Sequence, residues 1–193
     1  MLTQISPLAT ERCLQSRVIP IVENRGKLEQ ALHVPNVDII LLRHCNPLEF
    51  TTLLDRAHQR SLQVYVNVDH IGGICPDAAG LGFLAHRLHI SSIISSNPRT
   101  LALAKNLGLQ TVQRVFAIDS TGLEAVLEAV DMHNIDMLDI SPALVVPYVV
   151  PHFTQMLQMP FIASGLIHTA QQIQAVLKAG ALRVAVARPE LWS

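Results

Sequence analysis

The sequence predicts a small α/β fold, a TIM-like (β/α)8 barrel with a truncated final helix. Three observations carry that reading. Eight short apolar runs recur along the chain, helical patterns lie between them, and only "RPELWS" follows the last run. Near-continuous apolar runs suit parallel strands covered on both faces. At 193 residues, 50% of them hydrophobic and 15% charged, the chain is long enough for one domain and short for two.

The runs are "VIPIV" (18–22), "VDIILL" (37–42), "VYVNVD" (64–69), "SIISS" (92–96), "TVQRVF" (111–116), "DMLDI" (136–140), "FIAS" (161–164) and "RVAVA" (183–187). Asn46-Pro47 reads as a helix cap and first-turn pair before Phe50, Leu53, Leu54 and Ala57. Asn97-Pro98 repeats the device, and Gly108 supplies a stop. Thr121 with Glu124, and Thr169 with Gln172, read as capping boxes, the second helix ending at Gly180. Within the N-terminal segment 1–17, "PLATERCLQS" is expected to form a helix that fills the place of the missing eighth one. A doubly wound open sheet is the alternative, but no GxGxxG turn supports it.

Composition excludes several functions. A net charge of -1 gives no global pull towards nucleic acid or acidic membranes, and 4% aromatics offer no rich stacking surface. Any polyanion contact must come from a local patch, such as the helices near Arg56, Arg60 and Arg87. Cys13, Cys45 and Cys75 form no CxxC pair, which fits reduced thiols in a cytoplasm. There is no signal-peptide pattern, and no apolar run approaches the ~20 residues that span a bilayer.

In a barrel, function collects at the carboxyl ends of the strands. Those positions hold Arg43 and His44; Asn67, Asp69 and His70; Ser96 and Asn97; Gln113 and Arg114; Asp119; Asp139 and Ser141; Ser164 and Gly165; and Arg188. Many of these residues also suit helix caps. Asp69 is either a ligand contact or a carboxylate anchoring the "HIGGI" loop. Arg114, inside an apolar run, pairs with a carboxylate such as Asp139 or meets an anionic ligand. His86 and His89 share a helix face without the further ligands a metal site needs, and Cys75 has no local activator. No catalytic triad or glycosidase-type carboxylate pair is legible, and no cofactor is implied.

Loops after strands seven and eight commonly hold phosphate, on backbone N–H groups and a helix N-terminus. That makes Ser164, Gly165, Leu166 and Arg188 the candidate anion site, with Asp69, Arg114 and Asp139 at the same mouth.

The segments "VNVDHIGGICPDAAG", "SIISSNPRTLALAKNLGLQTVQRVFAIDSTGLE" and "PFIASGLIHTAQQIQAVLKAGA", with the terminal "ELW", resemble the glycerol-3-phosphate-responsive antiterminator family. The similarity runs from about residue 18 to the C-terminus. It implies a small barrel that binds glycerol-3-phosphate, or a similar small anion, and acts on leader mRNA of a glycerol uptake operon. It implies neither catalysis nor a membrane, and leaves a homo-oligomer open.

Residue by residue, Asp69 and Gln113-Arg114 match the family pattern, while Asp139 stands where a Glu is usual. Ser95-Ser96-Asn97 replaces Ser-Thr-Arg, His168 replaces an Arg, and Ala185 to Arg188 replaces Ser-Thr-Ser-Asn. Two rival readings stand beside the regulator. One is a barrel enzyme on a small phosphorylated or carboxylated metabolite, with Asp69 or Asp139 as acid or base. The other is a diverged regulator that no longer binds glycerol-3-phosphate.

Overall fold

The computed structural model describes residues 17–153 and 159–192. Eight parallel strands close into a barrel in sequence order: β1 (Val18–Val22), β2 (Ile39–Leu42), β3 (Gln63–Asn67), β4 (Ser92–Ser95), β5 (Gln110–Phe116), β6 (Met137–Ser141), β7 (Phe161–Ser164) and β8 (Val184–Val186). Val18 pairs with Val184 to close the ring. The expected (β/α)8 architecture is therefore present, and the open sheet is excluded.

Alternation along each strand divides the apolar residues into two sets. Ile19, Ile21, Leu41, Tyr65, Ile94, Val112 and Ile162 fill the barrel interior. Their neighbours, such as Val22, Leu42, Val66 and Ile93, pack outward under the helices. Burial on both faces explains why these strands read as unbroken apolar runs.

Seven α-helices lie among the described residues: α1 (Arg25–Ala31), α2 (Thr51–Gln59), α3 (Ala78–His86), α4 (Pro98–Asn106), α5 (Ser120–Glu128), α6 (Val146–Phe153) and α7 (Ala170–Lys178). Five of these starts carry a side-chain cap. Asn97 accepts from Arg99 N at 3.0 Å, as expected. Thr169 and Gln172 form the expected capping box. Asn46 does cap its segment, but the segment is a 3-10 turn (Pro47–Phe50) that leads into α2. The Thr121–Glu124 box is corrected: Asp119 is the cap of α5 and accepts from Gly122 N at 2.7 Å. An Asp that closes its own turn leaves Thr121 inside the helix.

Among the described residues, no α-helix follows β8. A 3-10 turn (Pro189–Leu191) leads to Trp192, which is 1% exposed and donates its indole N–H to Val186 O at 2.8 Å. The helix expected in residues 7–16 lies outside the described residues. No helix among those described is long and apolar enough to cross a membrane.

Candidate functional site

The inward alternation that places Tyr65, Val112, Met137 and Ile162 in the inner cluster also places polar residues inside. Asn67, Arg114, Asp139 and Ser164 lie two residues further on, one layer nearer the mouth. All four are buried. Arg114 and Asp139 are register partners on β5 and β6.

Arg114 donates from Nε and Nη2 to Asp139 Oδ2, at 2.8 and 2.6 Å. Ser164 donates to the same oxygen at 3.1 Å, and Arg114 Nη2 reaches Ser164 Oγ at 3.4 Å. Three donors therefore converge on one carboxylate oxygen. Its twin, Asp139 Oδ1, is buried without a hydrogen bond, as is the donor Nδ2 of Asn67. Such orphaned atoms are rare in native interiors.

A further charged candidate, Asp69, lies just past its strand. β3 ends at Asn67, so Asp69 belongs to the 3-10 turn that follows (Val68–His70) rather than to a strand. The expected strand to residue 69 is corrected for that reason: Asn67 Oδ1 accepts from Asp69 N at 3.2 Å and bends the chain. The exposed Asp69 carboxylate accepts from Ser95 Oγ at 2.5 Å, Ser96 N at 2.6 Å and Ser96 Oγ at 2.8 Å. It joins the loops after β3 and β4, whereas an anchor to "HIGGI" amides was the structural expectation.

After β7, Gly165 and Leu166 have φ of +95° and +58°. The first value suits glycine; the second is uncommon for leucine, whose side chain is 58% exposed here. His168 N and Thr169 N both donate to Gln172 Oε1, at 2.7 and 3.1 Å, which occupies the cap of α7. The amides of Gly165 and Leu166 make no hydrogen bond to another described residue. Arg188 lies beyond β8, exposed, with its guanidinium on Glu190 Oε1 at 3.2 Å.

A second polar group surrounds the loops after β1 to β3. Glu23 accepts from Lys27 Nζ at 2.8 Å and from Arg43 Nη2 at 2.9 Å. Burial pushes its carboxyl up, but hydrogen bonds and charge from Lys27 and Arg43 outweigh that and hold it below the usual range. His44, at φ +52°, donates its amide to His70 O at 2.6 Å, and the two rings lie 4.9 Å apart between centroids. Burial, then Arg43 and His70, push the His44 imidazole below its usual pKa. Sequence reasoning noted these residues singly; a contact across two loops has no local signature. No group of three or more His, Cys, Asp or Glu suited to a metal occurs among the described residues.

A closed parallel barrel with polar residues gathered at the carboxyl ends of its strands defines a class, the TIM-like barrels. The particular family follows from comparison. Residues 18–192 match the family described as glycerol-3-phosphate responsive antiterminator, and the chain belongs to it. Among solved structures, it is similar to the glycerol uptake operon antiterminator regulatory protein of Listeria monocytogenes str. 4b F2365. That similarity has a TM-score of 0.81 and 26% identity, covering 91% of this chain and 94% of the other. A glycerol uptake operon antiterminator-related protein from Thermotoga maritima MSB8 matches with TM-score 0.77 and 22% identity, over 91% and 97%. Among curated proteins, YgcP of Escherichia coli (strain K12) is 22% identical over 179 residues, 93% of each chain. The family is regulatory, and the resemblance read in the sequence is confirmed.

Proposed function

We propose that the protein is a glycerol-3-phosphate-responsive antiterminator that acts on leader mRNA of a glycerol uptake operon in the cytoplasm. Family membership supports the class. The single observation that supports ligand sensing is the seventh loop: Gly165 and Leu166 hold positive φ, and their amides have no partner among the described residues. Backbone N–H groups beside a helix N-terminus attract a phosphate without any particular side chain. That is how a phosphate site persists although Ala185 to Arg188 replaces the hydroxyls usual in the family.

The enzyme reading has less support. Asp139 is buried beneath Arg114 and Ser164, so it is held as a carboxylate partner rather than as a mobile acid or base. One observation favours the diverged regulator instead: Arg188, the candidate phosphate cation, is engaged by Glu190. That pair is exposed and screened by solvent, so a bound phosphate recruits Arg188 at little cost. Transcription through a glycerol-operon leader, with and without protein and glycerol-3-phosphate, tests the reading. Readthrough that needs both supports it; readthrough indifferent to glycerol-3-phosphate supports the diverged regulator.

A further inference from the structure

The loops after β1, β2 and β3 line an open cavity of about 600 Å³ at the barrel mouth. That volume is well inside the range of small-molecule sites, ~300–1,000 Å³, and generous for a three-carbon phosphate ester. Its polar lining comes from Glu23, Asn24, Arg25, His44, Asn46, Glu49 and His70, beside the apolar Phe50 and Ile71.

The lining is built rather than incidental. His44 is held by its amide bond to His70 O, and Gly72 N donates to Cys45 O at 2.9 Å, which ties the second loop to the third. Asn46 Oδ1 accepts from Leu48 N at 3.1 Å, leaving its amide group pointed at Glu49 Oε1, 3.4 Å away. Behind the lining, Arg43 Nε is buried without a hydrogen bond.

The mixture of groups selects the ligand. Two carboxylates, Glu23 and Glu49, outnumber the lining's one guanidinium, Arg25, which Glu29 already engages at 3.3 Å, so the lining offers no free cation to a second anionic group. A neutral imidazole offers one donor and one acceptor, and burial, with Arg43 beside it, shifts His44 towards that form. Donors and acceptors side by side with apolar groups match a chain of hydroxyls, each of which both donates and accepts. We infer that this cavity binds a polyhydroxylated chain, as the non-phosphate end of a sugar or polyol phosphate or as a free polyol. The phosphate-ester form rests on the mouth reading given above, with the phosphate at the seventh loop.

Calorimetric titration with sorbitol 6-phosphate, glycerol-3-phosphate and sorbitol tests the inference. The expected result is at least tenfold tighter binding of sorbitol 6-phosphate than of glycerol-3-phosphate. His70→Leu and, separately, Glu49→Leu should each remove threefold or more of that advantage and leave glycerol-3-phosphate binding unchanged. His70→Leu keeps the backbone bond from His44, and the second variant covers any loss of folding in the first. Equal binding of the two phosphates, or variants that weaken both alike, overturns the polyol site and leaves the glycerol-3-phosphate reading intact. Binding of sorbitol or its phosphate without glycerol-3-phosphate, lost in the variants, supports the polyol site and removes the other reading. Absence of binding by all three compounds overturns both.

Discussion

Arg114 and Asp139 face each other across β5 and β6, and two guanidinium N–H groups share the single oxygen Oδ2. The pair is almost fully enclosed, with side chains 5% and 0% exposed. A buried pair stabilises little against an apolar replacement, but breaking it leaves one charge stranded.

Arg114→Met should therefore cost about 3–5 kcal/mol, while Arg114→Met with Asp139→Leu should recover most of the loss. Urea unfolding of both variants checks this. A single variant as stable as the parent would mean that the guanidinium is solvated rather than paired.

Leu166 predicts the reverse pattern. A leucine at φ +58° carries about 1–2 kcal/mol of backbone strain, and its exposed side chain contributes little packing in return. Leu166→Gly should leave thermal stability equal or slightly higher. A clear drop in melting temperature would assign the side chain a packing role.

Cys45 should be chemically silent. Burial pushes its thiol from about 9.0 up to about 12. A group whose folded pKa is raised contributes stability that is complete below the unfolded value and lost as pH rises through the folded one. The window for Cys45 therefore runs upward from pH ~9. In a Cys13→Ser, Cys75→Ser background, a disulfide reagent at about pH 8 should label Cys45 only after urea is added. Rapid labelling of the native protein would show that the thiol is accessible.

Glu23 carries the opposite sign. Its folded pKa is depressed, so its contribution is present above the usual carboxylate value and lost as pH falls through the folded one. Lys27→Met removes one of its two cationic partners, so its destabilising effect should be larger at neutral pH than below the carboxylate range. Unfolding measured at both pH values tests this, and an effect of equal size at both would contradict it.

The strands were legible because burial on both faces removes polar residues from the runs, as "VIPIV" and "FIAS" show at their full observed lengths. Strand ends were less legible. "VYVNVD" continues apolar through Val68, yet the Asn67 side chain turns the backbone there, and that bond has no periodic signature. Likewise Asp119 and Thr121 are both good caps, and only the hydrogen bond to Gly122 N separates them. Of the candidate site, Arg114 with Asp139 was legible because a charge inside an apolar strand demands a partner. Ser164 as a shared donor, Ser95 and Ser96 beneath Asp69, and the His44–His70 contact depend on neighbours distant in sequence.

The central claim, a phosphate held by the backbone of the seventh loop, is tested most directly by titrating glycerol-3-phosphate into the parent protein and Gly165→Val. At φ +95°, with Ser141 Oγ 3.2 Å from where a Cβ would stand, valine costs about 1–3 kcal/mol of folding stability. The variant is therefore measured at a temperature where circular dichroism shows it folded. The account predicts saturable binding by the parent protein and at least a tenfold loss in Gly165→Val. Unaltered affinity in the folded variant, or no binding by the parent protein, would contradict it.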